Sequence, residues 1–295
     1  MGGYGWGTVS KKELIHAVKD ATDSGINFFD SADVYGLGEG ELTLGEALLS
    51  IRQKAVIATK FGVRIENGKT FYDNSKDWIN KALVNSLRRL RTDYIDIYQL
   101  HYRDNHTPVD EIIQTLDRLK DKGRIRYYGL SNIKEEDIDD LKRYKDKFVC
   151  FQNEFSLACR KNEKAIIRVA QELGLSPLTW GSLGQGVLTG KYYHDTKFSP
   201  DDRRSRQLYV NFHGKKLQHN LEIVDRLKKM AKELNQSVPA IAIRWILDFL
   251  PESVVITGIK NRKQFQSNAS ALGWKLNQNQ ISELEKMSRQ HGGIP

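Results

Sequence analysis

The chain has 295 residues, of which 39% are apolar and 28% charged, and it carries a formal charge of +9. This length suits one α/β barrel domain, and the apolar fraction is enough for a buried core. No run of about 18 apolar residues occurs, which argues against a membrane-spanning helix, and two cysteines do not support a disulfide scaffold. We therefore expect a cytoplasmic protein with a single domain over residues 1–295.

The positive charge leaves two interpretations open. A basic balance is typical of nucleic-acid binders, but it also suits a protein that holds a phosphorylated cofactor. The basic residues are spread along helical segments and mixed with acids, as at Lys228, Lys229 and Glu233. Because this pattern is typical of an ordinary solvated surface, we expect neither a nucleic-acid partner nor a membrane partner.

Short apolar runs alternate with longer segments of helical periodicity along the chain. The apolar runs predict strands at 26–29, 55–59, 95–100, 127–130, 148–152, 175–180 and 253–257. The periodic segments predict helices at 40–49, 76–90, 110–122, 134–144, 161–173, 217–234 and 239–249. Repeated strand–helix–strand order predicts a parallel sheet covered by helices.

Two α/β folds fit this order, a (β/α)₈ TIM barrel and an open doubly wound sheet. The open sheet usually has a glycine-rich phosphate loop directly after its first strand. Here the first predicted strand is followed by DSADVYG over residues 30–36, which is not such a loop, and no Walker, CxxC or HExxH motif occurs. The barrel is therefore favoured, with residues 191–214 as a long polar loop on its rim.

Polar side chains stand where the predicted strands end. They are Asp30, Lys60, His101, Ser131 with Asn132, and Gln152 with Asn153. One such residue is usually a solvated loop residue or a structural histidine, but several in register are not expected by chance. Active sites of these barrels lie at the carboxyl ends of the strands, and Tyr35 is close enough to Asp30 to reach the same mouth.

These residue types together suit the reduction of a carbonyl, which needs a hydride and a proton. A tyrosine phenol has a pKa near 10 and is a reluctant donor. A nearby ammonium favours the phenolate and is expected to lower that pKa. A carboxylate would keep the lysine charged and in place, and a histidine could hydrogen-bond the substrate oxygen or relay the proton.

The chain closely resembles the aldo-keto reductase family. The segment GINFFDSADVYG over residues 25–36 is similar to the family's signature, and EGELTLGEAL at 39–48 continues the match. The resemblance runs from about residue 4 to about residue 276. It implies a (β/α)₈ barrel enzyme that transfers hydride directly from NADPH without a metal. It also implies that Tyr35 is the general acid, that Lys60 and Asp30 tune it, and that His101 orients the substrate.

The resemblance further implies a cofactor path along the strand ends. In the family, the residues that correspond to GLSN (129–132) and FQNE (151–154) hold the carboxamide of the cofactor. An aromatic ring at the position of Trp180 stacks on the nicotinamide, and the residues that correspond to 182–191 run along the pyrophosphate. Core packing remains the alternative for Trp180. The residues assigned to the cofactor are Ser131, Asn132, Gln152, Trp180, Ser182, Leu183, Gln185, Gly186, Lys191, Gly258, Lys260, Gln264 and Asn268.

The segment ITGIKNRKQFQSN at 256–268 resembles the part of the family that binds the adenosine phosphate. Lys260 aligns with a position that is often arginine, and a cation there suits the 2′-phosphate of NADPH rather than NADH. Because lysine lacks the bidentate fork of arginine, we expect a weaker preference for NADPH over NADH. Gln264 and Asn268 would face the adenine.

The sequence departs from the family pattern at its N-terminus. The family normally has a strand before the region that corresponds to GGYGWG at 2–7, and here Met1 falls almost on that region. Seven apolar runs also fall one short of eight. We expect the first barrel strand to be missing or incomplete, with residues 2–7 filling its place poorly and stability reduced by unpaired strand edges.

Two functions stay open. The first is NADPH-dependent reduction of an aldehyde or ketone, with rim loops at 63–76, 102–107 and 191–214 setting specificity. Residues there that could contact a sugar or polyol carbonyl are Arg64, Tyr72, Tyr102, Arg103 and Tyr209. The alternative is a cofactor-binding regulatory protein, or an inactive one, on the same scaffold. The sequence predicts no oligomeric state.

Overall fold

The computed structural model describes residues 5–289, and its centre is a sheet of seven parallel strands. The strands of the chain are β1 (Phe28–Asp30), β2 (Val56–Phe61), β3 (Val63–Glu66), β4 (Lys69–Tyr72), β5 (Ile95–Leu100), β6 (Ile125–Ser131), β7 (Cys150–Glu154), β8 (Ser176–Trp180) and β9 (Val254–Val255). β3 and β4 pair with each other as an antiparallel hairpin and stay outside the main sheet.

Ten α-helices lie within the described residues. They are α1 (Lys11–Asp23), α2 (Glu39–Leu48), α3 (Lys76–Leu90), α4 (Val109–Asp121), α5 (Ile138–Leu141), α6 (Glu163–Leu173), α7 (Gly214–Glu233), α8 (Val238–Phe249), α9 (Arg262–Ala269) and α10 (Gln278–Arg289). Polar caps start several of them. Ser75 accepts from the Trp78 N–H at α3, and Ser237 does the same for Ala240 at α8, where Pro239 suits the first turn.

The strand order of the main sheet is β1-β2-β5-β6-β7-β8-β9. Apart from the separate β3–β4 hairpin, each strand therefore pairs with the strand that follows it in the chain. A helix separates most neighbouring strands, which is the repeat of a (β/α)₈ barrel. The parallel register sets Lys60 beside Gln99 and Ser131 beside Gln152. The side chains that end the strands therefore share one edge, as the sequence predicted.

Helices α2 and α3 pack unusually close to each other. A Cβ built on Gly45 would lie 2.6 Å from the Leu90 backbone carbonyl. Only glycine leaves room for this approach. The contact fixes α2 against α3 and so positions the chain that leads from β1 to β2.

The N-terminal part of the structure differs from the expectation in one respect. Residues 5–27 contain the helix α1, which the sequence analysis missed, and no strand before β1. The missed signal was Ser10 three residues before Glu13, since the Ser10 side chain accepts from the Glu13 N–H and caps the helix. Of the segment 2–7 that was expected to fill the first strand, residues 2–4 lie outside the described residues, and 5–7 form a turn.

Other differences are local. The run at 253–257 forms only a two-residue strand, although the Ile256 N–H still donates to the Thr179 carbonyl of β8 at 2.9 Å. The loop at 191–214 contains two short 3-10 turns and is packed down, with Asp202, Arg204, Asn211 and Phe212 buried. α9, α10 and the β3–β4 hairpin were not predicted.

Candidate active site

Lys60 and Asp30 form a buried ion pair at the carboxyl ends of β2 and β1. The Lys60 ammonium lies 2.8 Å from each Asp30 oxygen and donates to the Ser31 carbonyl at 2.7 Å. Lys60 has no exposed surface. Burial works to lower the pKa of Lys60, but the charge of Asp30 and the contact with Tyr35 outweigh it, and the net shift is upward. Lys60 is therefore a permanent ammonium at neutral pH.

Tyr35 lies on the turn that follows β1, and its hydroxyl is 3.5 Å from the Lys60 ammonium. The turn is sharp, because Gly36 and Leu37 both have positive φ angles, 60° and 55°. The sequence analysis expected the ammonium to lower the pKa of Tyr35. The pKa is raised instead, because burial outweighs the opposing charge of Lys60. Tyr35 is thus held as the neutral phenol.

His101 follows β5 and faces Tyr35. The two ring centroids are 6.0 Å apart, with the planes at 81°. Burial and the nearby Lys60 charge hold the pKa of His101 well below its usual range. Its Nδ1 atom is buried and has no hydrogen-bond partner among residues 5–289. A neutral imidazole with a free ring nitrogen suits hydrogen bonding to a substrate oxygen better than charge transfer.

Two glutamines complete the surroundings of Asp30. Gln152 donates from Nε2 to Asp30 Oδ1 at 2.8 Å, and Gln99 reaches the same oxygen at 3.3 Å. Gln152 was assigned to the cofactor and here also braces the carboxylate. Gln99 was missed, although an amide inside the apolar strand IDIYQL was a visible signal, since buried amides must be hydrogen-bonded.

Ser131 and Asn132 stand at the end of β6, close to His101. The Asn132 amide donates to the His101 carbonyl at 3.0 Å and to the Ser131 hydroxyl at 3.1 Å. Asn132 has φ 56°, a left-handed conformation that asparagine tolerates better than most residues. Asn153, next to Gln152, instead clamps the Ile133 backbone with both amide atoms. The structure brings Ser131 and Asn132 to the same end of the sheet as His101.

The segment after β8 turns sharply along the same edge. Trp180 ends the strand half-buried, and the Ser182 hydroxyl binds the Thr179 and Ile256 carbonyls, which ties β8 to the chain after β9. Gln185 and Gly186 both have positive φ angles. Leu183 packs against the core, and the Gln185 amide donates to Glu154 at 2.8 Å. The predicted pyrophosphate segment is therefore a tight, hydrogen-bonded turn.

Three cations gather beyond this turn. Burial lowers the pKa values of Lys191 and Lys260, and the charge of Arg204 lowers both further, which places the three within electrostatic range. Asp202 is the carboxylate of the group, and its oxygens accept from the Arg204 guanidinium. We call Lys191, Arg204 and Lys260 the cationic cluster. Lys260 and Arg204 both donate to the Trp6 carbonyl. The sequence analysis missed Arg204, which lies in the rim loop.

The remaining predicted cofactor residues lie around the start of α9. The Gln264 side chain accepts from the Lys260 N–H at 3.0 Å, so it caps that turn. Asn268 is buried, and its amide nitrogen has no partner among the described residues. A Cβ on Gly258 would meet nothing within 4 Å, so backbone there is open to approach.

An aromatic row extends from His101 toward the rim. The rings of His101 and Tyr102 are stacked at 5.0 Å, and Tyr102 stacks on Tyr72 of the hairpin at the same distance. Arg64 lies nearby on the hairpin, paired with Asp73 at 2.7 Å. The other two predicted substrate residues are engaged elsewhere, Arg103 with Asp137 and Asp140, and Tyr209 with the Trp6 ring.

None of the helices within residues 5–289 combines the length and the apolar character that crossing a membrane requires. Groups of three or more histidine, cysteine or acidic side chains that could hold a metal were not found in that part of the chain. Both cysteines, Cys150 and Cys159, are free thiols.

Comparison with known proteins identifies the family. The sequence model of the protein family described as "Aldo/keto reductase family" matches residues 1–289. The chain belongs to the aldo/keto reductase family. With that family it is an oxidoreductase acting on carbonyl and alcohol groups. This aldo/keto reductase is 32% identical over 280 residues to the aldo-keto reductase YhdN of Bacillus subtilis, covering 94% of this chain and 84% of that one.

Other relatives agree in sequence and in fold. The aldo-keto reductase yakc [NADP(+)] of Schizosaccharomyces pombe is 31% identical over 284 residues, 94% of this chain and 83% of that protein. The glycerol dehydrogenase AKR11B4 of Gluconobacter oxydans superposes with a TM-score of 0.87 at 32% identity, covering 100% of this chain and 90% of that one. The predicted barrel fold is therefore confirmed.

Proposed function

We propose that this aldo/keto reductase uses NADPH to reduce an aldehyde or ketone to the alcohol by direct hydride transfer. The observation that carries the proposal is the buried pair of Lys60 and Asp30 at the carboxyl edge of the sheet, with the hydroxyl of the half-buried Tyr35 against Lys60 and His101 beside it. A relative that is 31% identical carries NADP(+) in its name, which supports the choice of cofactor.

The proposed chemistry assigns a proton task to each residue of the group. Bound NADPH supplies the hydride. The Tyr35 hydroxyl, kept protonated by burial, delivers its proton to the substrate oxygen, and the Lys60 ammonium stabilises the phenolate left behind. Asp30 holds Lys60 charged and in place. Neutral His101 hydrogen-bonds the same substrate oxygen and orients the carbonyl.

The residues present fit a phosphorylated dinucleotide. The cationic cluster has three positive charges and one carboxylate, Asp202, so it has net positive charge where phosphates would lie. The buried amide nitrogen of Asn268 lacks a partner within residues 5–289 and could donate to the adenine. Ser131 and Asn132 would hold the carboxamide beside the catalytic group, with Trp180 against the ring.

A sugar or another polyol carbonyl is the substrate class we propose. The support is the Gluconobacter protein, a glycerol dehydrogenase that is 32% identical to this chain in a match covering 100% of this chain and 90% of that one. Tyr72, Tyr102 and Arg64 line the rim next to His101 and could contact hydroxyl groups. Hydroxyl-bearing ligands are commonly held by such aromatic faces and charged donors.

The test is NADPH consumption, followed by absorbance, with a panel of aldehydes, ketones and short sugars. Turnover in the wild type that is lost in Tyr35→Phe supports the proposal. Binding of NADPH with no turnover of any carbonyl would favour the cofactor-binding regulatory or inactive alternative. Equal rates for the wild type and Tyr35→Phe would refute the assignment of the acid.

A further inference from the structure

A second ion pair, between Glu41 and Arg89, lies near the turn that carries Tyr35. Glu41 of α2 has no exposed surface. Its carboxylate accepts hydrogen bonds from the Arg89 guanidinium at 2.7 Å and from the Thr59 hydroxyl at 2.6 Å. Thr59 immediately precedes Lys60 on β2, so this group and the catalytic ion pair are neighbours on one strand. Asp33, two residues before Tyr35, is within electrostatic range of both pairs, since the charges of Glu41, Arg89 and Lys60 all act on its carboxyl.

Asp33 is the carboxyl of this region that no cation neutralises. Lys60 is paired with Asp30 and Arg89 with Glu41, and the structure shows no ion pair to Asp33 within residues 5–289. The Asp33 Oδ1 atom is buried and has no hydrogen-bond partner there. Asp33 as a whole is half-buried, so a carboxylate here would place unpaired charge on a buried oxygen, within electrostatic range of the Glu41 carboxylate, which is unfavourable.

We infer that Asp33 is a positioning residue for Tyr35, which is held in place while Asp33 is a neutral carboxylic acid and disturbed when Asp33 ionises. The chain from Asp33 to Tyr35 is short, and the turn that follows already has two left-handed residues, Gly36 and Leu37. Repulsion between ionised Asp33 and Glu41 would therefore be transmitted to a turn with little conformational freedom.

The pKa of Asp33 is shifted in the direction that an unpaired carboxyl predicts. Burial raises the pKa of Asp33 to about 8, and the Glu41 charge adds to the rise, while Arg89, the Val34 N–H and Lys60 oppose it. The charged and titratable groups that face Asp33 are Glu41 on α2, Arg89 on α3, Lys60 on β2, Tyr98 on β5 and Tyr35 on its own turn.

Ionised Asp33 would also act on Tyr35 through space. A negative charge at Asp33 raises the pKa of Tyr35 and makes the phenol a poorer acid. Since the pKa of Tyr35 is itself raised above its usual value by burial, its own ionisation lies at higher pH than that of Asp33. Loss of activity near pH 8 would therefore report on Asp33. This part of the inference rests on the proposed function.

The sign of the effect on stability follows from linkage. The pKa of Asp33 is about 8 in the folded chain against an ordinary value of 3.8, so the folded state binds this proton more tightly. The contribution to the free energy of unfolding is fully present below about pH 4 and is lost as the pH rises toward 8. Asp33→Asn cannot ionise, so that part of the pH dependence should vanish.

The experiment compares the wild type with Asp33→Asn, and with Asp117→Asn as a control. The Asp117 carboxylate accepts from Lys147 and Tyr128, and these contacts help to hold its pKa below its usual range, although burial opposes them. The measurements are the infrared band of a protonated carboxyl, the melting temperature and kcat/KM, each followed across about pH 5 to pH 10. We expect a band that disappears near pH 8 in the wild type and in Asp117→Asn, and is absent in Asp33→Asn. We expect the alkaline decline in kcat/KM to move up by about one pH unit or more in Asp33→Asn only.

Two outcomes would overturn the inference. One is the same infrared band in Asp33→Asn as in the wild type, and the other is an unmoved alkaline decline. If Asp33→Asn does not fold, Glu41→Gln replaces it, since loss of the Glu41 charge lowers the pKa of Asp33 and should shift band and decline together to lower pH. If the wild type reduces no carbonyl, the proposed function fails, while the band and the melting curves still decide the protonation of Asp33.

Discussion

The catalytic group and the cationic cluster lie on the same edge of one sheet but are built differently. Asp30 and Lys60 are on strands, are nearly inaccessible to solvent, and are joined by two contacts of 2.8 Å. Lys191 and Lys260 are on loops, where Lys191 is exposed and Lys260 is half-buried. Lys260 binds the Trp6 carbonyl, a backbone atom of a distant segment. In the proposed function, the strands hold the groups that perform the chemistry and the loops hold the charges for the cofactor phosphates.

This contrast has a physical reason. A buried ion pair acts at low dielectric and keeps its geometry, which suits proton transfer over short distances. Cations on loops are partly hydrated and can adjust to a large anion, at the expense of strength per contact. We therefore expect substitutions in the first group to change the rate constant, and substitutions in the second to change cofactor affinity.

The largest effect on activity is expected from Tyr35→Phe. Removing the proposed acid should lower kcat about 10²–10⁴-fold with little change in the affinity for NADPH, since general acid catalysis commonly contributes that much. Steady-state kinetics together with a cofactor titration would measure both. Tyr128→Phe is the matched control, because it removes a hydroxyl that binds Asp117 away from the site and should leave kcat unchanged.

Lys60→Met should damage both activity and stability. It leaves the Asp30 carboxylate buried without its cation, and breaking such a pair destabilises proteins by about 3–5 kcal/mol. Urea unfolding of the wild type and the variant would measure the loss. The double variant Lys60→Met with Asp30→Asn should recover part of that stability but none of the activity. A single variant as stable as the wild type would contradict the electrostatic account of this site.

Lys260→Ala tests the other region. Loss of one charge-assisted contact to a phosphate should raise the KM for NADPH about 10- to 100-fold, because such contacts are worth about 1.5–3 kcal/mol. The KM for NADH and kcat should change little. Lys263→Ala is the control, since Lys263 is an exposed lysine three residues further on, in the first turn of α9. Equal losses for the two cofactors would show that Lys260 does not select the 2′-phosphate.

The same contrast explains how far the sequence could predict this protein. Strand ends are marked by an apolar run followed by a polar residue, so Asp30, Lys60, His101 and Ser131 could be placed at one edge from the pattern alone, and the register confirms that placement. Helix α1 was missed because its buried face is small, with two alanines among its four buried residues. Alanine gives a weak hydrophobic period.

Loop-borne residues could not be predicted in this way. Arg204 is brought beside Lys260 by a packed rim loop that has no periodic pattern. The sign of the shift in the Tyr35 pKa could not be predicted from the sequence either. Its charge partner could be inferred from residue types, but the extent of burial, which decides the sign, depends on the packing of the whole barrel mouth.

The smallest effect we predict is that of salt, and it separates the two regions in the unmodified protein. Raising the ionic strength from about 0.01 M to about 0.3 M shortens the screening length from about 30 Å to less than 10 Å. Because the cationic cluster is partly exposed, the KM for NADPH should rise several-fold. The buried Lys60–Asp30 pair has almost no contact with solvent, so kcat should stay constant. In Lys260→Ala the rise in KM should be smaller, since one screened charge is gone. A fall in kcat with no change in KM would mean that the exposed charges lie at the catalytic end, which would reverse the division of labour between strands and loops.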